Sequence, residues 1–274
     1  MNYRHKHIKP KIHQLRRKKR FFKRPIFWIA LLAVILAVGL AYFYLFFPKV
    51  QVLHVQVSGN QALENKDIEV AAWSAINKKV LGMETASIFS VNKRKLQASV
   101  LAAFPSLREV VVQKQFFNGV ALKVTERVPI GVFCRNQQEC FFIDREGVIF
   151  SAQGGSASGG DPLLSGAPRD VLILTGDSQV SLGQGAVEKN IVEGILAIEE
   201  NLRINFQVNV QEAVIANPLI IKTSERWQLH IDPAANINLQ ISKLNALLAD
   251  EISPSSRKQL KYIYLQYKDR AYYK

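Results

Sequence analysis

The sequence predicts an α+β protein with a single N-terminal transmembrane helix, a β-α-α-β-β unit and then a mainly antiparallel β domain with flanking helices. Three observations support this class: an uncharged apolar run at 26–47, alternating strand and helix periodicities over the next 75 or so residues, and short alternating apolar strands from 128 onwards. The chain has 274 residues, 48% of them hydrophobic, which is enough for one or two packed domains. Two cysteines in all exclude a disulfide-knotted miniature fold.

The positive charge is concentrated in the first residues. Of the 36 Lys and Arg residues, eleven lie within 1–24, which contains no acidic residue, so 25 remain against 22 acidic residues in the rest. Residues 1–25 are therefore predicted to be a basic cytoplasmic tail. Nucleic-acid binding by this tail is an alternative, but a topology signal already accounts for the charge, and we expect no nucleic-acid partner.

Residues 26–47 are predicted to span the cytoplasmic (inner) membrane once. The run has 22 residues, of which fourteen are Leu, Ile, Val or Phe, and as a helix it would measure roughly 33 Å. Because the basic tail precedes the run and only Lys49 follows it closely, the N-terminus should be cytoplasmic and the remainder extracytoplasmic, a single-pass type II topology. The alternative is a cleaved signal peptide, since Gly39-Leu40-Ala41 loosely resembles a cleavage site, although the run exceeds the usual signal core of roughly 7–15 residues.

Residues 50–127 are predicted to form the β-α-α-β-β unit, with two helices on one face of a three-stranded sheet. The first helix has Asn65 as N-cap and Asp67 in its first turn. The helical spacing of its buried face extends to Lys79. The second helix begins near Ser90 and is stopped by Pro105. Asn118-Gly119 predicts a hairpin between the last two strands. The positions that share the helix faces are Ile68, Ala72, Ala75 and Ile76, and then Leu96, Val100, Ala103 and Phe104.

Residues 128–274 are predicted to form the β domain. It should open with a hairpin that joins Gly131–Cys134 to Cys140–Asp144, and 151–160 should be a flexible Gly/Ser insertion. The remaining predicted elements are strands at 147–150, 171–174, 208–215, 219–223, 227–231 and 260–267, and helices at 186–202 and 239–248.

The sequence gives no motif for catalysis, and we predict no catalytic, cofactor-binding or metal-binding residue. His5, His7 and His13 lie in the tail, and His54 and His230 alternate with apolar neighbours in strands. The Gly183-Gln184-Gly185 segment lacks the third glycine of a dinucleotide loop. Asp144 and Glu146 lie in a turn, where Asp commonly bonds its own backbone. A non-enzymatic protein is expected, and a membrane-anchored cell-wall hydrolase or transferase is the alternative.

Cys134 and Cys140 flank the five-residue loop of the predicted hairpin. In an exported domain this arrangement makes a disulfide plausible, and two reduced cysteines are the alternative.

Several segments together resemble the bacterial FtsQ family of cell-division proteins, called DivIB in Gram-positive bacteria, and the β-α-α-β-β unit resembles its POTRA domain. The resemblance covers nearly the whole chain in order. The segments are 55–60 (VQVSGN), 125–129 (TERVP), 143–150 (IDREGVIF), 161–166 (DPLLSG), 227–232 (WQLHID) and 262–267 (YIYLQY).

The resemblance implies a scaffold that links early and late divisome proteins at the division septum. It implies partners of the FtsB and FtsL type at an edge strand near the C-terminus and further division proteins at the POTRA domain. The implied contact residues are Tyr262, Tyr264, Gln266 and Tyr267. Tyr264 and Gln266 stand where the family usually has Asp and Arg, and neither the 151–160 insertion nor the cysteine pair is typical of the family. A POTRA-type chaperone of protein export is a further alternative.

Overall fold

The computed structural model describes residues 25–80, 82–115, 118–135, 139–152, 172–179, 181–268 and 270–274. Its first element is helix α1, Pro25–Phe46, one residue earlier than predicted because Phe47 has an extended backbone and leads into a short 3₁₀ turn at Pro48–Val50. None of the side chains of α1 is buried, and the helix is long and apolar enough to cross a bilayer.

The β-α-α-β-β unit is present, as predicted. Its strands assemble in the order β1-β5-β4, with β1 parallel to β5 and β4 antiparallel to it. Helices α2 and α3 pack on this sheet through Ile68, Ala72, Ile76, Leu96 and Val100. The elements are β1 His54–Ser58, α2 Asn65–Ile76, β2 Lys78–Val80, β3 Met83–Thr85, α3 Lys93–Ala103, β4 Leu107–Gln115 and β5 Gly119–Glu126.

The connection between the two helices differs from the prediction. Helix α2 ends at Ile76, so Lys79 lies in the hairpin β2–β3 and not on the helix. Gly82 has φ +81°, a conformation that favours glycine and places the turn there. Helix α3 begins at Lys93, later than predicted, because the Asn92 side chain accepts the Lys95 N–H and caps it. Glu64, not Asn65, is the N-cap residue of α2.

The β domain is a mostly antiparallel sheet covered by helices, and the α+β class is confirmed. Among the described residues the strand order is β14-β13-β12-β11-β10-β9-β6-β7-β8, with parallel pairing at β13–β12, β10–β9 and β9–β6. The strands are β6 Pro129–Arg135, β7 Glu139–Asp144, β8 Ile149–Ala152, β9 Leu172–Thr175, β10 Val210–Val214, β11 Leu219–Thr223, β12 Gln228–Ile231, β13 Tyr262–Tyr264 and β14 Tyr272–Tyr273.

Helices α4 (Lys189–Phe206), α5 (Ile237–Ala246) and α6 (Pro254–Arg257) complete this domain. Helix α4 buries Ile195, Ile198 and Leu202 in the core, as its periodicity predicts, whereas Ile191 is only half-buried. The predicted flexible insertion at 151–160 begins inside β8, because residues 151 and 152 belong to that strand, and from 153 it lies outside the described residues.

Candidate partner-binding edge

The segment predicted to offer an edge strand, 260–267, contains β13 and the turn that follows it. β13 pairs with β12 through Leu229↔Ile263 and, on its other side, with β14 through Ile263↔Tyr273. In the described part of the chain β14 is therefore the outermost strand on this side, and the prediction that β13 is the edge was wrong. The Tyr272-Tyr273 pair in the predicted polar tail was the sequence signal for this additional strand.

The strand itself is shorter than predicted, so Gln266 and Tyr267 lie beyond it. Lys243 of α5 holds the turn that follows, because its ammonium group donates to the backbone carbonyl oxygens of Tyr267 (2.8 Å) and Lys268 (2.5 Å).

Tyr262 and Tyr264 lie two residues apart in β13 and share one face of the sheet, with ring centroids 4.7 Å apart. Both are half-buried, and Tyr264 also packs 4.4 Å from the ring of His230 on β12. Burial lowers the pKa of His230, because the charged imidazolium loses its hydration there. These two tyrosines thus partly cover the sheet, with Ile263 fully buried on the opposite face.

Tyr267 and Tyr272 form an exposed aromatic pair next to this face. Their rings meet edge to face with centroids 5.3 Å apart, and each side chain is 47% exposed. Tyr273 is 46% exposed as well. Exposed tyrosines of this kind are common anchors in protein interfaces.

A cleft of about 440 Å³ adjoins these tyrosines, between α5 and the turn after β13. Leu239, Gln240 and Lys243 line it from the helix, and Gln266 and Tyr267 line it from the turn. Leu239 is 52% exposed, so the cleft combines an apolar side chain with hydrogen-bonding groups and with the charged side chains of Asp232, Lys243 and Lys268. Such a surface can hold side chains of a bound peptide.

An ion pair holds the segment that leads into β13. Arg257 of α6 binds Glu225 through two hydrogen bonds of 2.7 and 2.9 Å, and the buried Trp227 indole N–H donates to the same carboxylate at 3.1 Å. The hydrogen bond from Arg257 lowers the pKa of Glu225, against the opposing effect of burial. The segment that leads into β13 is therefore held against the start of β12.

At the other side of the sheet, Cys134 of β6 and Cys140 of β7 are directly paired in the antiparallel register. Their sulfur atoms are 2.03 Å apart, which is a disulfide bond. It closes the β6–β7 hairpin next to a small cluster of Val132, Phe142 and Phe150.

Two of the segments that carry the family resemblance, 125–129 and 143–150, meet where the β-α-α-β-β unit joins the β domain. The segment 161–166 lies outside the described residues. Glu126 accepts the backbone N–H groups of Gln61, Ala62 and Leu63 at 2.8–3.1 Å, which ties the loop before α2 to the end of β5. The next residue, Arg127, donates to Asp144, whose other carboxylate oxygen accepts the N–H groups of Glu146 and Val148. Asp144 thus bonds its own turn, as expected, and it also joins the two units.

In two segments of the family resemblance, 55–60 and 143–150, a glycine occupies a position that has no room for a Cβ atom. A Cβ on Gly59 would lie 2.3 Å from the carbonyl oxygen of Val124, and one on Gly147 would lie 1.9 Å from that of Val187. Both residues also have positive φ, +93° and +77°.

The architecture defines a class: in the part of the chain that the structure describes, one candidate membrane-spanning helix is followed by a POTRA unit and a sheet domain. The family model of the FtsQ-type POTRA domain matches residues 50–127. The chain therefore contains a POTRA domain of the FtsQ type, and it is similar to FtsQ cell division proteins. The resemblance predicted from the sequence is confirmed.

Two curated relatives illustrate the similarity. The chain is 29% identical to the cell division protein FtsQ of Streptomyces collinus over 151 residues, which is 55% of this chain and 50% of that protein. It is 28% identical to the cell division protein FtsQ of Streptomyces coelicolor over 120 residues, 44% of this chain and 38% of that protein. The matches thus span half or less of these relatives.

Proposed function

We propose that this chain is a non-enzymatic scaffold of the bacterial division machinery. Helix α1 crosses the cytoplasmic membrane once, the basic tail stays in the cytoplasm, and the POTRA and β domains bind other division proteins outside it. The FtsQ-type POTRA domain at residues 50–127 is the observation that carries this proposal. The eleven basic residues before α1 support the orientation, because positive charge is retained on the cytoplasmic side.

The proposed partner contact lies at the β13–β14 side of the sheet and takes a strand of the FtsB/FtsL type. A strand edge offers N–H and C=O groups to another chain, and alternate side chains give selectivity. Because β14 has only two residues, Tyr272 and Tyr273, we propose that a longer partner strand replaces it on β13. Tyr262 and Tyr264 would then contact the partner strand, while Gln266 and Tyr267 bind its side chains in the adjoining cleft.

The cellular role is tested by imaging a fluorescent fusion in dividing cells. Rings at mid-cell are expected, and a uniform membrane signal would contradict a division role. The topology is tested by adding protease to intact spheroplasts. Degradation of the residues beyond 50 is expected, and degradation of the tail alone would reverse the orientation.

The contact is tested with Gln266→Pro and Tyr264→Lys in a pull-down with an FtsB-type partner. Either change should abolish binding, because a charge on β13 disrupts strand addition and proline at Gln266 distorts the turn that lines the cleft. Ile204→Lys is the matched control, since Ile204 is 62% exposed on α4, outside the proposed contact. Circular dichroism of each variant checks that the fold is intact, and full binding by both folded variants would refute the contact.

A further inference from the structure

The POTRA domain holds the end of helix α1 by side-chain hydrogen bonds. Ser87 Oγ donates to the carbonyl oxygen of Tyr44 at 2.8 Å, and Thr85 Oγ1 donates to that of Leu45. Carbonyl groups in the last turn of a helix lack intrahelical partners, so these bonds satisfy them. The loop after β3 is consequently fixed to the end of the apolar helix.

The same loop places an aromatic ring beside the helix. Phe89 stacks on Tyr44, with ring centroids 4.6 Å apart and planes 20° apart, and Phe89 is 46% exposed. Tyr44 lies two residues before the end of α1, Pro25–Phe46, where aromatic rings occupy the headgroup level of a bilayer. Phe89 therefore lies at that level too.

Two lysines reach this loop from both sides. Lys78 Nζ donates to the Ser90 carbonyl oxygen and Lys114 Nζ donates to that of Ile88, each at 2.7 Å. Burial lowers the pKa of Lys114, and so do the positive charges of Lys93 and Lys78, which lie near it. Lys78, Lys93 and Lys114 form what we call the lysine cluster.

Backbone carbonyls hold Lys78 and Lys114, but in the described part of the chain no carboxylate neutralises the lysine cluster. Lys93, Arg94 and Lys95 fill the first turn of α3, where the helix dipole disfavours positive groups. Glu84, on the adjacent hairpin, pairs with Lys79 at 3.8 Å and not with the cluster. An external anion would compensate the repulsion.

We propose that the lysine cluster and Phe89 bind the phosphate headgroups of anionic phospholipids, such as phosphatidylglycerol, in the leaflet where α1 ends. This proposal rests on the proposed membrane-spanning role of α1. Two observations support it: the charge is complementary to the headgroup, and the loop is continuous with the helix end through Tyr44 and Phe89. The attraction of one lysine to an anionic membrane raises the binding affinity roughly fivefold.

The test uses the full chain in nanodiscs of phosphatidylcholine alone or of phosphatidylcholine mixed with phosphatidylglycerol. Acetylation of each lysine by an N-hydroxysuccinimide ester is followed by peptide mass spectrometry. We expect the lysine cluster to react several-fold more slowly in the anionic nanodiscs, while Lys66 and Lys123 are unchanged as internal controls. Equal rates in both nanodiscs would overturn the lipid proposal alone, whereas failure of the chain to insert into either would overturn the membrane-spanning role of α1.

A second measurement compares the phospholipids that copurify with the chain in detergent. The triple variant Lys78→Gln, Lys93→Gln, Lys114→Gln should lose its enrichment in phosphatidylglycerol, by roughly fivefold or more given the contribution of one lysine. The control triple variant Lys66→Gln, Lys123→Gln, Lys189→Gln removes the same charge elsewhere and should retain the enrichment. A cluster variant with unchanged enrichment would overturn the proposal. So would protection of the cluster by a soluble glycerol phosphate polymer but not by anionic nanodiscs, which would assign the site to a free polymer.

Discussion

Arg127, directly after the last strand of the POTRA domain, donates a hydrogen bond to Asp144 at the end of β7 in the β domain. The two side chains are 11% and 6% exposed, so the pair is shielded from water. A second, outer pair joins the same two domains, because Arg108 of β4 binds Glu146 at 2.7 Å.

We predict that Arg127→Gln destabilises the chain by about 3 kcal/mol, since it leaves Asp144 as a buried and unpaired charge. Arg108→Gln is the matched control. Its side chain is 56% exposed, so we expect a loss of less than about 1 kcal/mol. Urea denaturation followed by tryptophan fluorescence measures both, and equal losses would contradict a special role for the buried pair.

Replacing Cys134 and Cys140 by serine should lower the free energy of unfolding by about 2 kcal/mol, because the bond closes only a short loop in the unfolded chain. The same loss should appear when wild-type protein is reduced, and reduction should leave the double variant unchanged. Peptide mapping, without reductant, of protein isolated from cells should show residues 134 and 140 joined by the disulfide bond. Free thiols in freshly isolated protein would argue that the β domain is not exported.

Glu225→Gln should destabilise the protein by about 2 kcal/mol at pH 7, because the charged hydrogen bonds to Arg257 are lost. The pKa of Glu225 is lowered by folding, so its contribution is complete above its ordinary pKa of 4.5 and is lost as the pH falls through the lowered value. The difference between wild type and variant in thermal unfolding should therefore shrink as the pH falls below 4.5.

Glu193→Gln serves as the control for this pH dependence. Glu193 pairs with Lys189 at 3.8 Å, and both side chains are more than half exposed, so no measurable difference from wild type is expected at any pH. A pH-independent difference for Glu225→Gln would contradict the contribution assigned to its charge.

Deleting residues 270–274 should strengthen binding of an FtsB-type strand, since β14 no longer competes for the groups of β13. The bonds that the deletion frees include Lys274 N–H to the Tyr262 carbonyl oxygen at 3.2 Å. Surface plasmon resonance compares the deletion with Tyr272→Phe, which keeps the backbone ladder and should bind as wild type does. Weaker binding by the folded deletion variant would indicate that β14 itself receives the partner.

Local periodicity predicted the helices of the POTRA domain and most strands of the β domain, because an apolar face is a local property of the sequence. The β2–β3 hairpin was not predicted, since its strands have three residues each and no alternation to detect. The contact of Arg127 with Asp144 could not be predicted from the sequence either, because it depends on the packing of two domains. β14 was missed because two exposed tyrosines at the end of a polar segment carry no burial pattern.

The two residues of β14 have a further consequence for the protein before it meets a partner. An uncovered β13 would present its backbone groups to the same strand of another copy, and such pairing leads to aggregation. A short strand that covers these groups within the same molecule protects β13 from such pairing. It also means that some of the backbone hydrogen bonds of a guest strand only replace those of β14, so recognition depends more on the side chains of the guest.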